Sequence, residues 1–296
     1  HRALSEHKTL SISWSHYLFI SSLLPRACRT DETREIPMSE KDFSLFYFAT
    51  IDRAYFLDKH NFYVSEARKR LFSQFSDSDL EAEARQKEKD YYEAAGKRFD
   101  PDYDDEGAIW EQAHDEGISH WIALSDMKNT VSLALTAGMF HQFDKELREK
   151  CIREFSHWLD SKPVTSMIWD IGFPRLIEIL EWVGMDITGK AYYEKIDACR
   201  QVVNVYKHGD GHAHRELSIA HPEYYQDINI PGGYRFSLRH EQLEVTETQF
   251  IEFADAITAF WNDIPTHCMR SAIREEPEWI NGEYKKHEKK VKMLQD

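Results

Sequence analysis

The feature that most constrains the fold is a stretch without proline, Ser119 to Leu159, in which apolar side chains recur every three or four residues. This spacing places them on one face of an α-helix. The apolar positions are Trp121, Leu124, Met127, Val131, Leu135, Met139, Phe143, Leu147, Ile152 and Phe155. The pattern predicts one long helix or two helices in series.

Other segments also carry helix signals. They span residues 43–57, 76–98, 168–184, 192–208 and 246–264. Gly96 and Gly209 lie where helices are expected to end, and Thr246 with Gln249 forms a capping box. Pro174 and Gly184 mark the start and end of a single buried helix in the third segment. Helix is therefore expected to dominate the protein.

Strand signals are slight. Apolar residues partly alternate between Tyr234 and Val245, which predicts a short β-hairpin near the C-terminal third, whereas residues 212–233 have no regular pattern. The expected fold is mostly α, a helical bundle with this small hairpin. We expect a single helical domain at 38–265, an N-terminal extension of uncertain order at 1–37, and a solvated basic tail at 266–296 that carries five lysines between Lys285 and Lys292.

Charge and cysteine usage exclude several classes of protein. The formal net charge of −15 argues against a surface that surrounds nucleic acid, so any such contact must be local. Cys28, Cys151, Cys199 and Cys268 form no C-x-x-C pair, so neither a disulfide framework nor a thiolate zinc site is indicated. No apolar run is long enough to span a bilayer. We expect a cytoplasmic protein without a membrane partner.

The candidate site is a polar stripe formed by Arg200, Asn204, Lys207 and His208. On a helix these four residues share an arc of about 100°. Arginine and lysine can neutralise a phosphodiester, asparagine can position it, and histidine can transfer a proton near neutral pH. RNA fits this chemistry because its 2′-hydroxyl is a built-in nucleophile. The alternative is a solvated face whose cations suit the helix C-terminus.

The segment from Arg200 to Gly209 reads RQVVNVYKHG and resembles the closing motif of HEPN-like proteins, helical bundles of bacterial toxin and antiphage defence systems. Residues 138–147 and 260–265 are also similar to segments of uncharacterised bacterial members. The resemblance implies a metal-independent endoribonuclease without a cofactor, acting as a homodimer on RNA, with a cognate antitoxin or defence-system partner protein.

Carried over from this resemblance, Arg200 binds phosphate and His208 acts as general acid or base, with Asn204 and Lys207 in support. The family motif is R-x4-6-H, whereas seven residues separate Arg200 from His208. This longer spacing also fits a non-catalytic helical subunit, an immunity or scaffold protein that binds protein or nucleic acid.

A second polar face lies on the long helix. His141, Asp144, Lys145 and Arg148 follow i, i+3, i+4, i+7 spacing, so they share one side of that helix. A carboxylate there could orient His208 or pair with Arg200. The alternative is a ladder of surface ion pairs.

Metal-dependent phosphohydrolase chemistry is a third hypothesis. His208, His212 and His214 could supply three imidazoles to a metal, although Gly209 and Gly211 interrupt the helix that would fix their geometry. The His114-Asp115 pair resembles the doublet of HD-type phosphohydrolases, but its other ligands cannot be placed. The leading prediction therefore contains no metal.

Overall fold

The computed structural model describes residues 42–226 and 238–294. Its strands and helices, in chain order, are β1 (Ser44–Tyr47), α1 (Thr50–Arg70), α2 (Asp77–Gly96), α3 (Glu106–Phe155), α4 (Ser161–Asp170), α5 (Phe173–Trp182), α6 (Ala191–His208), α7 (His212–Ala220), α8 (Glu247–Asp263), β2 (His267–Met269) and α9 (Glu278–Met293). The protein is mostly α-helical with a small antiparallel sheet, which confirms the predicted fold class.

The two described strands come from distant parts of the chain. β1 pairs antiparallel with β2, with Phe46 opposite Cys268. Of the segment predicted as a hairpin, residues 234–237 lie outside the described residues. The rest contains a 3₁₀ turn at His240–Gln242 and an isolated bridge between Tyr225 and Leu243. The small sheet therefore lies elsewhere than the sequence predicted.

Several helix boundaries match the sequence signals. Ser76 accepts a hydrogen bond from the backbone N–H of Asp79 and caps α2, and Gly209 ends α6 in a left-handed conformation with a φ of 66°. The proline-free stretch forms one helix, α3, which begins earlier than predicted. Its start follows an acidic segment at residues 100–105. There the Asp105 carboxylate accepts a hydrogen bond from the N–H of Gly107 at 2.9 Å.

Two predicted helices are wrong in part. The apolar residues at 43–57 were expected to form one helix, but residues 44–47 form β1 because they pair with β2. Residues 168–184 were expected to form a single buried helix. The chain is extended at Ile171 and Gly172 and so divides this segment between α4 and α5, with Pro174 in the first turn of α5.

Two segments are more regular than predicted. Residues 212–220 form α7, although residues 212–233 were expected to be irregular. The basic tail contains β2 and α9, and its five lysines are exposed as expected. However, Ile280, Tyr284 and His287 are buried, because α9 packs against α4. The extension at 1–37 lies outside the described residues.

The described residues divide into two compact units. Unit 1 contains residues 42–55, 144–190 and 260–294. In its core the indole N–H of Trp158 donates to the carbonyl of Leu45 at 2.8 Å. The ammonium of Lys150, which is 1% exposed, lies 2.7 Å from the Asp52 carboxylate and 2.6 Å from that of Glu154.

Unit 2 contains residues 56–143 and 191–259 and includes α6 and α7. Phe250, Phe253 and Ile257 of α8 are fully buried in it. The amide of Asn129 on α3 donates to the carbonyl of Leu243 at 2.8 Å, which fixes the segment before α8. This unit positions the predicted Arg200 to His208 stripe.

The described residues also bear on membrane spans and on cysteine chemistry. Among the described residues no helix is both long and apolar enough to cross a membrane. Cys151, Cys199 and Cys268 are buried free thiols, and burial raises the pKa of each, that of Cys268 to about 11. Within the described part of the chain these thiols are therefore poor nucleophiles. Cys28 lies outside it.

Candidate functional site

Helix α6 presents one apolar and one polar face. Ile196, Cys199, Val202 and Val203 are buried, as their helical spacing predicts. Tyr206, in the last turn of the helix, is 40% exposed. The apolar face fixes the helix in unit 2 and leaves the opposite stripe toward solvent.

Arg200 is held in place by a partner on its own helix. Its Nε donates to the carboxylate of Asp197 at 2.7 Å, and the same carboxylate accepts from the amide of Gln201 at 2.8 Å. The Arg200 side chain is 19% exposed. Among the described residues, none accepts a hydrogen bond from its two Nη nitrogens. The guanidinium is thus oriented through Nε while its outer edge can bind an anion.

The other three residues of the stripe lie toward the end of α6. Asn204 is half-buried, whereas Lys207 and His208 are exposed. Within the described residues, no side chain is hydrogen-bonded to the His208 ring. Arg200 and His208 are two turns apart, about 12 Å along the helix axis. The stripe is therefore open to solvent and spans more than one phosphate group.

The second polar face does not act as one group. Both oxygens of the Asp144 carboxylate accept from Nε of Arg148, at 2.9 and 3.0 Å, and Arg148 also donates to the carbonyl of Ile171. In the structure Asp144 is thus paired with Arg148, and the carboxylate paired with Arg200 is that of Asp197.

The outer members of that face are on the surface. Lys145 lies 3.9 Å from Glu149 in an exposed ion pair, and His141 is exposed. The pair of Lys145 with Glu149 fits the alternative, a ladder of surface ion pairs, whereas Arg148 is buried. His141 belongs to unit 2, and the other three residues belong to unit 1.

The histidines that follow α6 have separate surroundings. The His212 side chain is 77% exposed and lies 3.2 Å from Glu216, one turn further on α7. His214 is buried, with Nδ1 2.8 Å from the hydroxyl of Tyr225 and Nε2 3.1 Å from the carbonyl of Leu238. Since a carbonyl only accepts, Nε2 carries the proton. Both ring nitrogens are engaged, so the metal hypothesis for His208, His212 and His214 loses one ligand.

His114 offers equally little to an HD-type site. Its ring stacks on Trp110 with centroids 5.6 Å apart, and its Nδ1 lies 3.6 Å from Glu88. Asp115 is exposed. These contacts are those of a surface histidine.

The structure also shows residues that the sequence analysis missed. Asp197 lies three residues before Arg200, a helical spacing that could have revealed the pair. In unit 1, Asp170, Glu283 and His287 place three potential metal-ligand atoms within 4.8 Å of one another. Glu283 and His287 are four residues apart on α9. This helical spacing places both side chains on one face, but it predicts a site only if residues 266–296 form a helix and not a solvated tail.

Comparison with family models, with curated proteins and with solved structures gives no match to this chain.

Proposed function

We propose that the polar stripe of α6 is the RNA-cleaving site of a HEPN-like, metal-independent endoribonuclease. The observation that carries the proposal is the Arg200 guanidinium, which Asp197 orients through Nε only. Its Nη edge is suited to two non-bridging oxygens of a phosphodiester. Lys207, exposed in the last turn of the helix, adds a second positive charge.

The reaction follows from the chemistry of RNA. His208 in its neutral form takes the proton of a 2′-hydroxyl, and the resulting oxygen attacks the adjacent phosphorus. The bond from phosphorus to the 5′-oxygen breaks, and a proton from an acid neutralises the leaving oxygen. Arg200 stabilises the charge that develops on the phosphoryl oxygens. The products are a 2′,3′-cyclic phosphate and a 5′-hydroxyl.

The separation within one helix favours a composite site. Arg200 and His208 are about 12 Å apart along the axis, so within one protomer a single phosphate has to lie between the two side chains to contact both. A homodimer could bring Arg200 of one protomer beside His208 of the other. We include this dimer in the proposal, together with the role as a toxin or defence effector that the family resemblance implies.

The decisive experiment compares His208→Ala with His212→Ala. His212 is a matched control because its ring is exposed on α7 and lies outside the proposed stripe. We expect the wild type and the control to produce new 2′,3′-cyclic phosphate ends in cellular RNA, to arrest growth on expression, and to keep their activity in a chelator. His208→Ala should lose cleavage while it keeps the wild-type circular dichroism spectrum. Cleavage by folded His208→Ala would reject the proposal.

A second candidate function is a non-catalytic partner subunit that binds RNA or protein through the same stripe. The observation that favours it is the exposed His208 ring, which no described side chain orients. This function predicts stoichiometric binding without turnover. Arg200→Gln should then weaken binding, whereas His208→Ala should leave the affinity nearly unchanged.

A further inference from the structure

Three side chains converge where α4 ends beside α9 in unit 1. Nε2 of His287 lies 3.3 Å from Oδ2 of Asp170 and 3.3 Å from Oε1 of Glu283. Glu283 and His287 are one turn apart on α9, and Asp170 is the last residue of α4. A tetrahedral metal with ligands at about 2.0–2.2 Å separates neighbouring ligand atoms by about 3.3–3.6 Å. The two distances from His287 therefore match edges of a zinc coordination shell, and the carboxylate oxygens of Asp170 and Glu283 lie within 4.8 Å of each other.

The histidine is set up as a metal ligand from its other side. The His287 side chain is fully buried, and its Nδ1 lies 2.8 Å from the hydroxyl of Ser166 on α4. When Nδ1 carries the proton and donates it to Ser166, the lone pair on Nε2 faces the two carboxylates. A fixed outer hydrogen bond of this kind orients the imidazole ligands of protein metal sites.

The cluster already attracts a cation from the protein itself. The Lys286 ammonium lies 2.7 Å from Oε1 of Glu283 and 3.4 Å from Oδ2 of Asp170. Its side chain is 61% exposed, so it can swing into solvent without breaking the core. Lys286 thus occupies the side of the carboxylates that a dication would take.

The site has access to solvent. A pocket of about 370 Å³ is lined by Asp170, Ile171, Gly172, Pro174, Arg175, Glu283 and Lys286. Two of the three potential ligands therefore border an open space. Three protein ligands beside such a space leave a fourth position for water or a substrate, as in catalytic zinc sites.

We propose that Asp170, Glu283 and His287 bind a divalent transition metal ion of the zinc class, and that Lys286 is the competing cation that the metal displaces. The site lies in unit 1, whereas the α6 stripe lies in unit 2. The proposal is independent of the ribonuclease assignment and is tested without any activity measurement.

The test is a zinc titration of the full chain against a colorimetric chelator. We expect about one equivalent of tightly bound zinc in the wild type. Asp170→Asn and Glu283→Gln should each weaken binding by at least about tenfold, and Ser166→Ala by about ten- to a hundredfold through loss of the outer hydrogen bond. The side chain of Asp170 is 51% exposed, so Asp170→Asn keeps the test valid if His287→Gln fails to fold.

Lys286 supplies the sharpest control. Lys286→Met should bind zinc several-fold more tightly than the wild type, because the competing ammonium is removed. Lys289→Met is the matched control on the same helix and should equal the wild type. Failure of the wild type to bind zinc, or unchanged affinity in both Asp170→Asn and Glu283→Gln, would overturn the proposal. Equal affinities of Lys286→Met and Lys289→Met would overturn the role of Lys286.

Discussion

The ammonium group of Lys150 lies inside unit 1 under two aromatic rings. It is 5.6 Å from the ring centroids of both Phe46 and Phe48, and its charge is balanced by Asp52 and Glu154. Lys150→Met should lower the free energy of unfolding by about 3 kcal/mol, because the buried Glu154 carboxylate then keeps only the half-exposed guanidinium of Arg153, 3.5 Å away, as its counter-charge. Urea denaturation measures this loss.

A second variant separates the effect of the lost ion pair on stability from the effect of lost packing. Lys150→Met combined with Glu154→Met should recover much of the stability, since the buried carboxylate is removed as well. Lys145→Met is the control, because the Lys145 side chain is 65% exposed and its ion pair contributes at most about 1 kcal/mol. Equal losses in Lys150→Met and Lys145→Met would contradict the prediction.

His60 gives unit 2 a dependence on pH. Its ring is 4% exposed, and Nε2 donates to the carbonyl of Ala254 at 2.9 Å. Burial lowers the pKa of His60 from its usual 6.5, and the hydrogen bond opposes this only in part. The stabilisation is therefore fully present above the unfolded-state pKa and is lost as pH falls through it toward the folded-state pKa, because the unfolded chain binds more protons.

We expect His60→Gln, which keeps a donor for Ala254, to show a smaller loss of stability than the wild type between about pH 7 and 5. Thermal unfolding across this range measures the difference. His212→Gln, at an exposed position, should follow the wild-type curve. Parallel curves for the wild type and His60→Gln would show that His60 does not contribute.

Predictions for single residues were limited by contacts with residues that are distant in the sequence. The face of α6 and the position of Arg200 followed from spacing along one helix. The third hypothesis includes His214 as a possible metal ligand because its partners, Tyr225 and Leu238, are 11 and 24 residues away. Neither contact has a local signature in the sequence.

Helix α3 contains a glycine whose missing side chain makes room for a tyrosine. A Cβ at Gly138 would lie 2.5 Å from the hydroxyl of Tyr63, which donates to the carbonyl of Leu135 at 2.8 Å. Gly138→Ala should therefore destabilise the protein by about 1–3 kcal/mol, although alanine is the better helix former. Chemical denaturation provides the measurement.

The double variant Gly138→Ala with Tyr63→Phe tests the cause. Removal of the hydroxyl relieves the clash, so the double variant should be less destabilised than the sum of the single variants. Gly96→Ala is the control, because nothing lies within 4 Å of its Cβ position. Strict additivity would assign the effect to the helix alone.

At the scale of elements, the sequence predicted boundaries best where local capping chemistry sets them. Gly96, Gly209 and the pair Thr246 with Gln249 mark helix ends in both sequence and structure. The sequence did not predict the secondary structure of segments that depend on a partner distant in the chain. Residues 44–47 form a strand only because β2 lies beside them, and α9 is ordered by burial of Tyr284 and His287.

At the scale of the whole molecule, the formal charge of −15 makes any RNA affinity depend on a few local cations. In the proposed site, Arg200 and Lys207 would provide two phosphate contacts per protomer. For single strands, the slope of log affinity against log salt is about −0.7 per contact, so we expect about −1.4 for one protomer and about −2.8 for a composite dimer. Equilibrium binding of a short RNA at several salt concentrations measures the slope.

Two variants identify the source of this slope. Arg200→Gln with Lys207→Gln should bring it close to zero, whereas Lys289→Gln on α9 should leave it unchanged. A slope that responds only to Lys289→Gln would move the RNA contact to α9 and contradict the proposed site.

The mostly α-helical class was predictable because amphipathic periods and cap residues occur throughout the chain. The division of the described residues into two units was not predictable from the sequence. The segments of unit 1 are separated by 88 and 69 residues and those of unit 2 by 47, and such a grouping depends on which apolar faces meet, which periodicity does not encode.

Lys150 also has a use in chemical footprinting. Amine-reactive reagents require a solvent-accessible, deprotonated amine, and in the folded protein this side chain is shielded and held between two carboxylates. The exposed lysines of α9 are open to the same reagents. Modification of Lys150 thus requires at least local opening of unit 1. The rate at which Lys150 is labelled therefore reports how often unit 1 opens.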